Sequence, residues 1–267
     1  MQQGMELERQ GLDTGYYSEH GRAGARWLGS AWKGLGYSED VSQDQLVGLI
    51  LEHKTASGDP VHKIHGRTTV FGLEIDVSAP KSFSDVQTIA ESPIQLKMME
   101  IWNRVLADGV ARMERDYIRT RDGSGEQRHH MQTGGLAVRA YTHFLSRAQD
   151  PQLHGHLLMP NMAQELETGQ WKATDTDYLY RNAKALGHWI QARLRDLSEQ
   201  ELGIEWGPVR NGTAEIVGVP EEYLKATSQR SQTIREKTAA LAENGFRADL
   251  HIRDEIAMET RRDKVWI

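Results

Sequence analysis

The sequence predicts an α+β fold in which a central antiparallel sheet is flanked by helices. Residues 69–78, "TVFGLEIDVS", alternate apolar and polar side chains, as a half-buried strand does. Two more strands are predicted at about 135–145 and 153–162, and the polar connection between them suits an antiparallel hairpin. Residues 93–120 repeat apolar side chains at three-, four- and five-residue steps, which indicates a long amphipathic helix.

The segments before the first of these strands are shorter. Residues 24–36, "GARWLGSAWKGLG", alternate glycine and tryptophan and predict turns around aromatic anchors. A short helix is expected over 42–52, with Ser42 as its N-cap. The polar stretch that follows contains Gly58, Pro60 and Gly66 and predicts a loop.

The C-terminal half returns to helix after the hairpin. A helix is predicted over 178–202, where one face carries Leu179, Ala183, Leu186, Ile190, Leu194 and Leu197. Residues 206–220 predict a turn and a short strand, and the chain from Glu221 onward is expected to be mostly helical. We expect one domain over residues 1–267, because no repeat or low-complexity linker divides them.

Composition excludes several classes of protein. No run approaches the roughly 18 consecutive apolar residues of a membrane span, and the N-terminus shows no secretion signal. The absence of cysteine excludes disulfides and thiolate ligands and suits the cytoplasm. The net charge of −6 argues against coating nucleic acid through a general positive potential, but it permits a confined basic groove.

Three histidines lie within the stretch "THFLSRAQDPQLHGH". Strand periodicity places His154 and His156 on one face. If residues 144–153 close a hairpin, His143 falls roughly opposite position 155, within reach of both. A lone histidine is more often structural, but this set predicts a divalent metal site with open positions. Because all three ligands are neutral, the cation would keep its charge and could polarise an anionic substrate such as a phosphodiester.

Other polar residues complete the candidate site. Tyr16 and Tyr17 have no apolar pattern around them, so they are either packing residues or a nucleophile that the cation activates. Glu74 and Asp76 on the polar face of a strand are either solvated or placed to accept the tyrosine proton or fix a histidine tautomer. Lys81 follows that strand and is a candidate phosphate contact.

Several motifs, in order, resemble the relaxase domain of MobF-type conjugative plasmid mobilisation proteins, a branch of the HUH endonucleases. The resemblance covers roughly residues 16–265. "GYYSEHGRAGARWLGS" resembles the family's tyrosine segment and its Gly-Arg-Trp-Leu-Gly stretch. "FGLEIDVSAPKSFS" is similar to its strand ending in Ser-Ala-Pro-Lys-Ser. "HFLSRAQDPQLHGHLLMPNM" resembles its three-histidine signature, which is the most specific of these motifs.

This resemblance implies a metal-dependent, site- and strand-specific DNA nickase and strand transferase. A tyrosine, Tyr16 in preference to Tyr17, would attack a phosphodiester at the plasmid transfer origin, form a 5′-phosphotyrosine link and reseal the strand after conjugative transfer. The implied cation is Mg²⁺ or Mn²⁺, with Zn²⁺ or Ni²⁺ as alternatives. The implied fold is a palm-like sheet over about residues 1–220, with helices over about 221–267 covering the DNA cleft.

The expected partner is single-stranded transfer-origin DNA, with a helicase domain or relaxosome and secretion-system coupling proteins beyond it. Trp27 or Trp171 could stack on an unpaired base. Candidate phosphate contacts, besides Lys81, are Arg139, Arg147, Lys172, Arg181, Lys184, Arg210 and Arg230. Two rival functions stay open at this point: a module that binds origin DNA without cutting it, and a small-molecule hydrolase that uses the three histidines with water.

Overall fold

The computed structural model describes residues 22–61, 70–122, 129–146 and 148–243. The strands in these ranges are β1 (Arg22–Leu28), β2 (Gly72–Ser78), β3 (Arg119–Asp122), β4 (His129–Gly135), β5 (Val138–Leu145), β6 (Pro151–Pro160), β7 (Met162–Glu165) and β8 (Trp171–Ala173). They form two antiparallel sheets, ordered β1-β5-β6-β2 and β3-β4-β7-β8. The helices in these ranges are α1 (Gln43–Glu52), α2 (Lys81–Ile89), α3 (Ser92–Arg112), α4 (Thr176–Leu202), α5 (Glu221–Ala226) and α6 (Gln229–Glu243). The α+β prediction is confirmed.

The first sheet buries one face under helices. Leu73 and Val77 on β2 and Leu153 and Leu157 on β6 belong to a buried cluster that also takes in residues of α2, α3 and α4. Gly155 lies on this same face, and a Cβ there would lie 2.8 Å from Leu106 Cδ1 on α3. The helix therefore leaves no room for a side chain at the position between His154 and His156.

The opposite face of this sheet, which we call the site face, carries the three histidines. A second cluster packs α1 over one end of it, with Leu46 and Leu49 joined to Tyr141 and Leu158 of the sheet. Trp27 on β1 belongs to the same cluster and donates its indole N–H to the Ser38 carbonyl, 2.7 Å away.

Ser42 caps α1 as the sequence predicts. Its side chain accepts from the backbone N–H of Gln45, and the Gln45 side chain accepts from the backbone N–H of Ser42, which completes a capping box. The C-cap of α1 is His53, which adopts a left-handed conformation with φ of 52°.

Three predictions of secondary structure were wrong in extent. Residues 24–36 were expected as turns, but β1 occupies 22–28, so most of this strand lies within that range, and a 3₁₀ turn follows at Trp32–Leu35. The helix expected through residue 120 ends at Arg112, because the chain passes through a π-helical turn at Met113–Tyr117 and then pairs as β3 with β4. The short strand expected within 206–220 is reduced to isolated bridges.

The last two helices in the described ranges, α5 and α6, are held to the rest of the fold by hydrogen bonds. α5 packs on α2, and the hydroxyl of Thr227 donates to Asp85 Oδ2 at 2.8 Å. The backbone N–H of Gln229, at the start of α6, donates to Asp150 Oδ2 at 2.9 Å. Asp150 belongs to the turn between β5 and β6, so the histidine hairpin itself holds the start of α6. No helix in the described ranges is both long enough and apolar enough to cross a bilayer.

Candidate metal centre

The structure brings the three histidines together on the site face. His143 on β5 lies directly opposite His154 on β6, and His156 follows on the same strand. One ring nitrogen from each of the three lies within 4.8 Å of the others. The ring centroids are separated by 4.7 Å, 5.0 Å and 5.3 Å. His156 is buried, and the other two rings are half-buried. The three imidazoles converge, as the hairpin prediction requires.

The register of the hairpin differs from the predicted one. His143 was placed opposite position 155, but it pairs with His154, and the pairing slips by one residue between His143 and Leu145, where Leu145 faces Pro151. The difference matters because a one-residue shift turns a side chain to the other face of the sheet. With the predicted register, His143 would have pointed toward the helices instead of toward the other two rings.

The orientation of the His154 ring is set by the backbone of its own strand. Nδ1 lies 2.8 Å from the Gln152 carbonyl oxygen. Because a carbonyl only accepts, Nδ1 must carry the proton, and Nε2 is left as the ligand atom. Burial lowers the pKa of His154, and the smaller effect of this hydrogen bond opposes it. The ring is therefore neutral near pH 7, as a metal ligand must be.

The orientation of the His156 ring is set by two carboxylates. Nδ1 lies 2.7 Å from Glu74 Oε1 and 2.6 Å from Asp76 Oδ1. Both acids project from β2, where Asp76 pairs directly with His156. Burial on its own would lower the pKa of His156, but the hydrogen bonds to Asp76 and Glu74 outweigh it and raise the pKa to about 9. Both side chains keep substantial exposure, 42% for Glu74 and 64% for Asp76.

The donor set fits a divalent cation. Three protein ligands form the ligand set of a catalytic metal site, and carboxylates that hold a ligand's second nitrogen are the usual support. Glu74, Asp76 and His156 also lie close enough to form a second candidate group. We favour the three histidines as the ligands, because Glu74 and Asp76 already bind Nδ1 of His156 and so orient its ring.

The tyrosine candidates lie outside the described residues. The chain nevertheless limits their distance from the histidines, because Arg22 at the start of β1 pairs with His143. Tyr16 precedes Arg22 by six positions, which a chain spans with at most about 21 Å.

The candidate DNA contacts fall into three groups. The first group is held by protein partners. Arg139 is buried; one of its guanidinium nitrogens lies 3.0 Å from the Glu39 carbonyl oxygen, and the guanidinium stacks over Trp27. Lys172 forms an ion pair with buried Glu165 at 3.0 Å. Lys81 is likewise engaged by protein groups. Arg147 lies outside the described residues, and for Arg230 only the backbone is described. The exposed candidates are Arg181, Lys184 and Arg210.

The two tryptophans proposed for base stacking differ in exposure. Trp27 is 6% exposed and packs on Trp32 and Tyr37, so it belongs to the core. Trp171 is half-buried at the start of β8.

Sequence reasoning missed two residues that shape the centre. Gly155 allows α3 to pack closely against the helix-covered face of β6, and the carbonyl of Gln152 fixes the His154 tautomer. The glycine could have been recognised, because a glycine inside a strand often marks a close approach of another element. The carbonyl could not, because every residue has one.

Comparison with known proteins identifies the family. A family model described as TrwC relaxase matches residues 2–266. The multifunctional conjugation protein TraI of Escherichia coli is 31% identical over 264 residues, and the same holds for TraI of strain K12. The match covers 94% of this chain but 14% of TraI, so the chain spans about a seventh of these relatives.

Solved structures agree on the fold. A metal-bound structure of the conjugative relaxase TrwC with oriT DNA superposes with a TM-score of 0.81 at 23% identity, over 97% of this chain and 90% of that one. A TrwC complex with a 27-mer DNA comprising the recognition hairpin and the cleavage site gives 0.77 at 22% identity, with the same coverage of both chains. The chain therefore belongs to the TrwC relaxase family, the MobF-type family that its motifs resemble.

Proposed function

We propose that this chain is the nicking domain of a conjugative relaxase, which cuts one strand of transfer-origin DNA and holds the cut end. The observation that carries the proposal is the three histidines on the site face, with two carboxylates bound to Nδ1 of His156. Family membership supports transfer-origin DNA as the substrate of this site, because the relatives are conjugation proteins and relaxases solved with oriT DNA.

The reaction exchanges one phosphodiester for another. The hydroxyl oxygen of Tyr16, or of Tyr17, forms a bond to phosphorus, and the bond from phosphorus to the 3′ oxygen breaks. The tyrosine loses its proton, and the leaving 3′ oxygen gains one. The reverse attack by the 3′-hydroxyl reseals the strand, because the phosphotyrosine retains the energy of the original bond.

His143, His154 and His156 would hold the cation, which would neutralise and polarise the phosphate under attack. We propose Mg²⁺ or Mn²⁺ because of their availability. Zn²⁺ and Ni²⁺ are the alternatives, because imidazole nitrogens bind them with higher affinity. We assign Glu74 and Asp76 to holding the His156 ring instead of accepting the tyrosine proton, because both are within 2.7 Å of its Nδ1.

The remaining assignments follow from the same proposal. Residues from about 1 to 220 would supply the catalytic palm, and those from about 221 to 267 would form the helical region that covers the DNA. Arg181, Lys184 and Arg210 are the exposed candidates for phosphate contacts. The working partners would be a helicase domain or relaxosome and secretion-system coupling proteins, and the cytoplasm is the compartment in which plasmid DNA is available.

The test is a covalent adduct on a denaturing gel. The purified chain is incubated with single-stranded oligonucleotides that tile candidate transfer origins, each labelled at the 3′ end, in Mg²⁺ or Mn²⁺. The label should move with the protein, whereas a 5′ label on the same oligonucleotide should leave as a shorter free strand. Binding without any adduct across the panel would favour the module that holds origin DNA without cutting it.

The two carboxylates allow a prediction about pH. Below pH 9, metal binding must displace a proton from His156, so the apparent affinity for Zn²⁺ should fall about tenfold per pH unit between pH 8.5 and 7. The double variant Glu74→Gln, Asp76→Asn removes the carboxylates that raise the pKa of His156, so burial should lower this pKa. The dependence of Zn²⁺ affinity on pH should then become weaker. Nicking at pH 8.5 should also drop about 10–100-fold, because the ring is no longer held.

Calorimetric titration of the metal-free protein measures the slope. The matched control is Asp44→Asn, Glu199→Gln, which removes two exposed carboxylates from α1 and α4 and should leave both the slope and the rate unchanged. An unchanged slope in the Glu74, Asp76 variant would show that these acids do not govern His156.

A further inference from the structure

The N-terminal end of α2 holds the first residues of the histidine strand. Lys81 Nζ donates to the Pro151 carbonyl at 2.6 Å, and the Leu153 N–H donates to Ser84 Oγ at 2.9 Å. The Ala79 N–H donates to the Leu153 carbonyl at 2.9 Å. The regular pairing of β6 with β2 ends at His154, and its pairing with β5 is irregular beyond the same residue. At this end of β6, hydrogen bonds from α2 and from the residue Ala79 before it thus replace the regular pairing of the sheet.

The positive charge of Lys81 is balanced by an ion pair with a buried carboxylate, that of Asp85. Its ammonium group lies 2.8 Å from Asp85 Oδ1, and Asp85 is 1% exposed. The other oxygen of Asp85 accepts from Thr227 at 2.8 Å, so the carboxylate is itself fixed. The adjoining cavity of about 380 Å³ is also lined by Asp150. A second anion such as a DNA phosphate would find the lysine charge already balanced and another negative charge nearby.

The carbonyl that Lys81 binds is next to the one that orients a metal ligand. Pro151 and Gln152 are consecutive, and the Gln152 carbonyl accepts from His154 Nδ1 at 2.8 Å. Fixing the Pro151 carbonyl restricts the rotation of the peptide plane that follows, because the two carbonyls are separated by only two backbone dihedrals. A change at Lys81 should therefore reach the His154 ring without any direct contact.

We propose that Lys81 is a positioning residue of the metal centre: anchored on Asp85, it fixes the start of β6 so that the Gln152 carbonyl holds His154 with Nε2 available to the cation. The inference rests on the proposed function for its consequence in nicking. It replaces the expectation that Lys81 contacts a DNA phosphate.

The test compares two variants that differ only at Lys81. Asp85→Asn removes the buried charge but keeps the lysine bond to Pro151, and Lys81→Met, Asp85→Asn removes both without leaving an unbalanced carboxylate in the core. In metal-free protein, long-range ¹H–¹⁵N spectra report the proton on His154 Nδ1. We expect that proton in the wild type and in Asp85→Asn, and its loss or rapid exchange in the double variant.

Metal and DNA binding complete the comparison. Relative to Asp85→Asn, the double variant should bind Zn²⁺ at least about tenfold more weakly, whereas its affinity for an origin oligonucleotide and the salt dependence of that affinity should not change. Lys33→Met, which removes an exposed lysine from the 3₁₀ turn at Trp32–Leu35, should alter none of these quantities. Melting curves for each variant verify that the comparison is made on folded protein.

Two results would overturn the inference. One is an unchanged His154 proton and unchanged Zn²⁺ affinity in the double variant. The other is weaker DNA binding with the salt slope reduced by about one, which is the signature of a lost phosphate contact. Because the spectra need neither metal nor DNA, a failure of the proposed nicking reaction would be seen separately, as a wild-type protein that shows the His154 proton but forms no adduct.

Discussion

His143→Ala is expected to abolish nicking, with a fall in rate of at least about 10³-fold in Mg²⁺ or Mn²⁺. His143 supplies the nitrogen that comes from β5, while His154 and His156 share β6. Without it, two imidazoles on one strand remain, fewer than the three protein ligands typical of a catalytic site. The measurement is the rate of adduct formation with a cognate 3′-labelled oligonucleotide, together with Zn²⁺ affinity by calorimetry, which should weaken at least about 100-fold.

Binding of uncut DNA separates this loss from misfolding. His143→Ala should bind the oligonucleotide within a few-fold of the wild type, because phosphate contacts away from the cation supply most of the affinity. His188→Ala removes an exposed imidazole from α4 and should leave rate and metal affinity unchanged. Full nicking activity in the His143 variant would eliminate the three-histidine model.

Local periodicity predicted the histidine strand and its neighbour. The pattern His154, Gly155, His156 requires both rings on one face of any strand, and Glu74 and Asp76 alternate with Leu73, Ile75 and Val77 in the same way. The structure shows that both polar sets lie on the site face and meet at His156. The grouping of each polar set on one face of its own strand needed no knowledge of long-range contacts, because the period of a strand is fixed by its backbone.

The register of the hairpin and the support behind it were beyond the reach of periodicity. The slip between His143 and Leu145 depends on how the turn closes, and no pattern in "SRAQDP" fixes it. Lys81 and Pro151 are 70 positions apart, and Thr227 lies 142 positions from Asp85. Such bonds exist only after the sheet and helices have assembled. A lysine next to a candidate DNA site was therefore interpreted by its charge, whereas the fold uses it as a donor to the backbone.

The second sheet was missed for a related reason. β7 and β8 have four and three residues, too few for alternation to stand out. β3 continues directly from a helical pattern, and its extended conformation is stabilised by pairing with β4. Strand propensity depends on such neighbours more than helix propensity does, so a sequence pattern alone extended the helix through residue 120.

Tyr16→Phe is expected to remove the covalent adduct completely, because the phenol oxygen is the atom that bonds to phosphorus. The aromatic ring stays, so packing should change little, and the three histidines should bind Zn²⁺ as in the wild type. Tyr17→Phe should retain the adduct at a reduced rate. The measurement is the fraction of 3′-labelled oligonucleotide that migrates with protein on a denaturing gel, followed over time in Mn²⁺.

The double variant Tyr16→Phe, Tyr17→Phe decides between the remaining chemistries. No adduct and no cleavage in this variant is the result expected of a tyrosine transesterase, and Tyr180→Phe, an exposed tyrosine on α4, should behave as the wild type. Loss in Tyr17→Phe alone would transfer the role of nucleophile to that residue. Cleavage that persists in the double variant without any adduct would mean that water attacks the phosphate. The histidine centre would then be that of a hydrolase, in which a nicked strand is released and cannot be resealed.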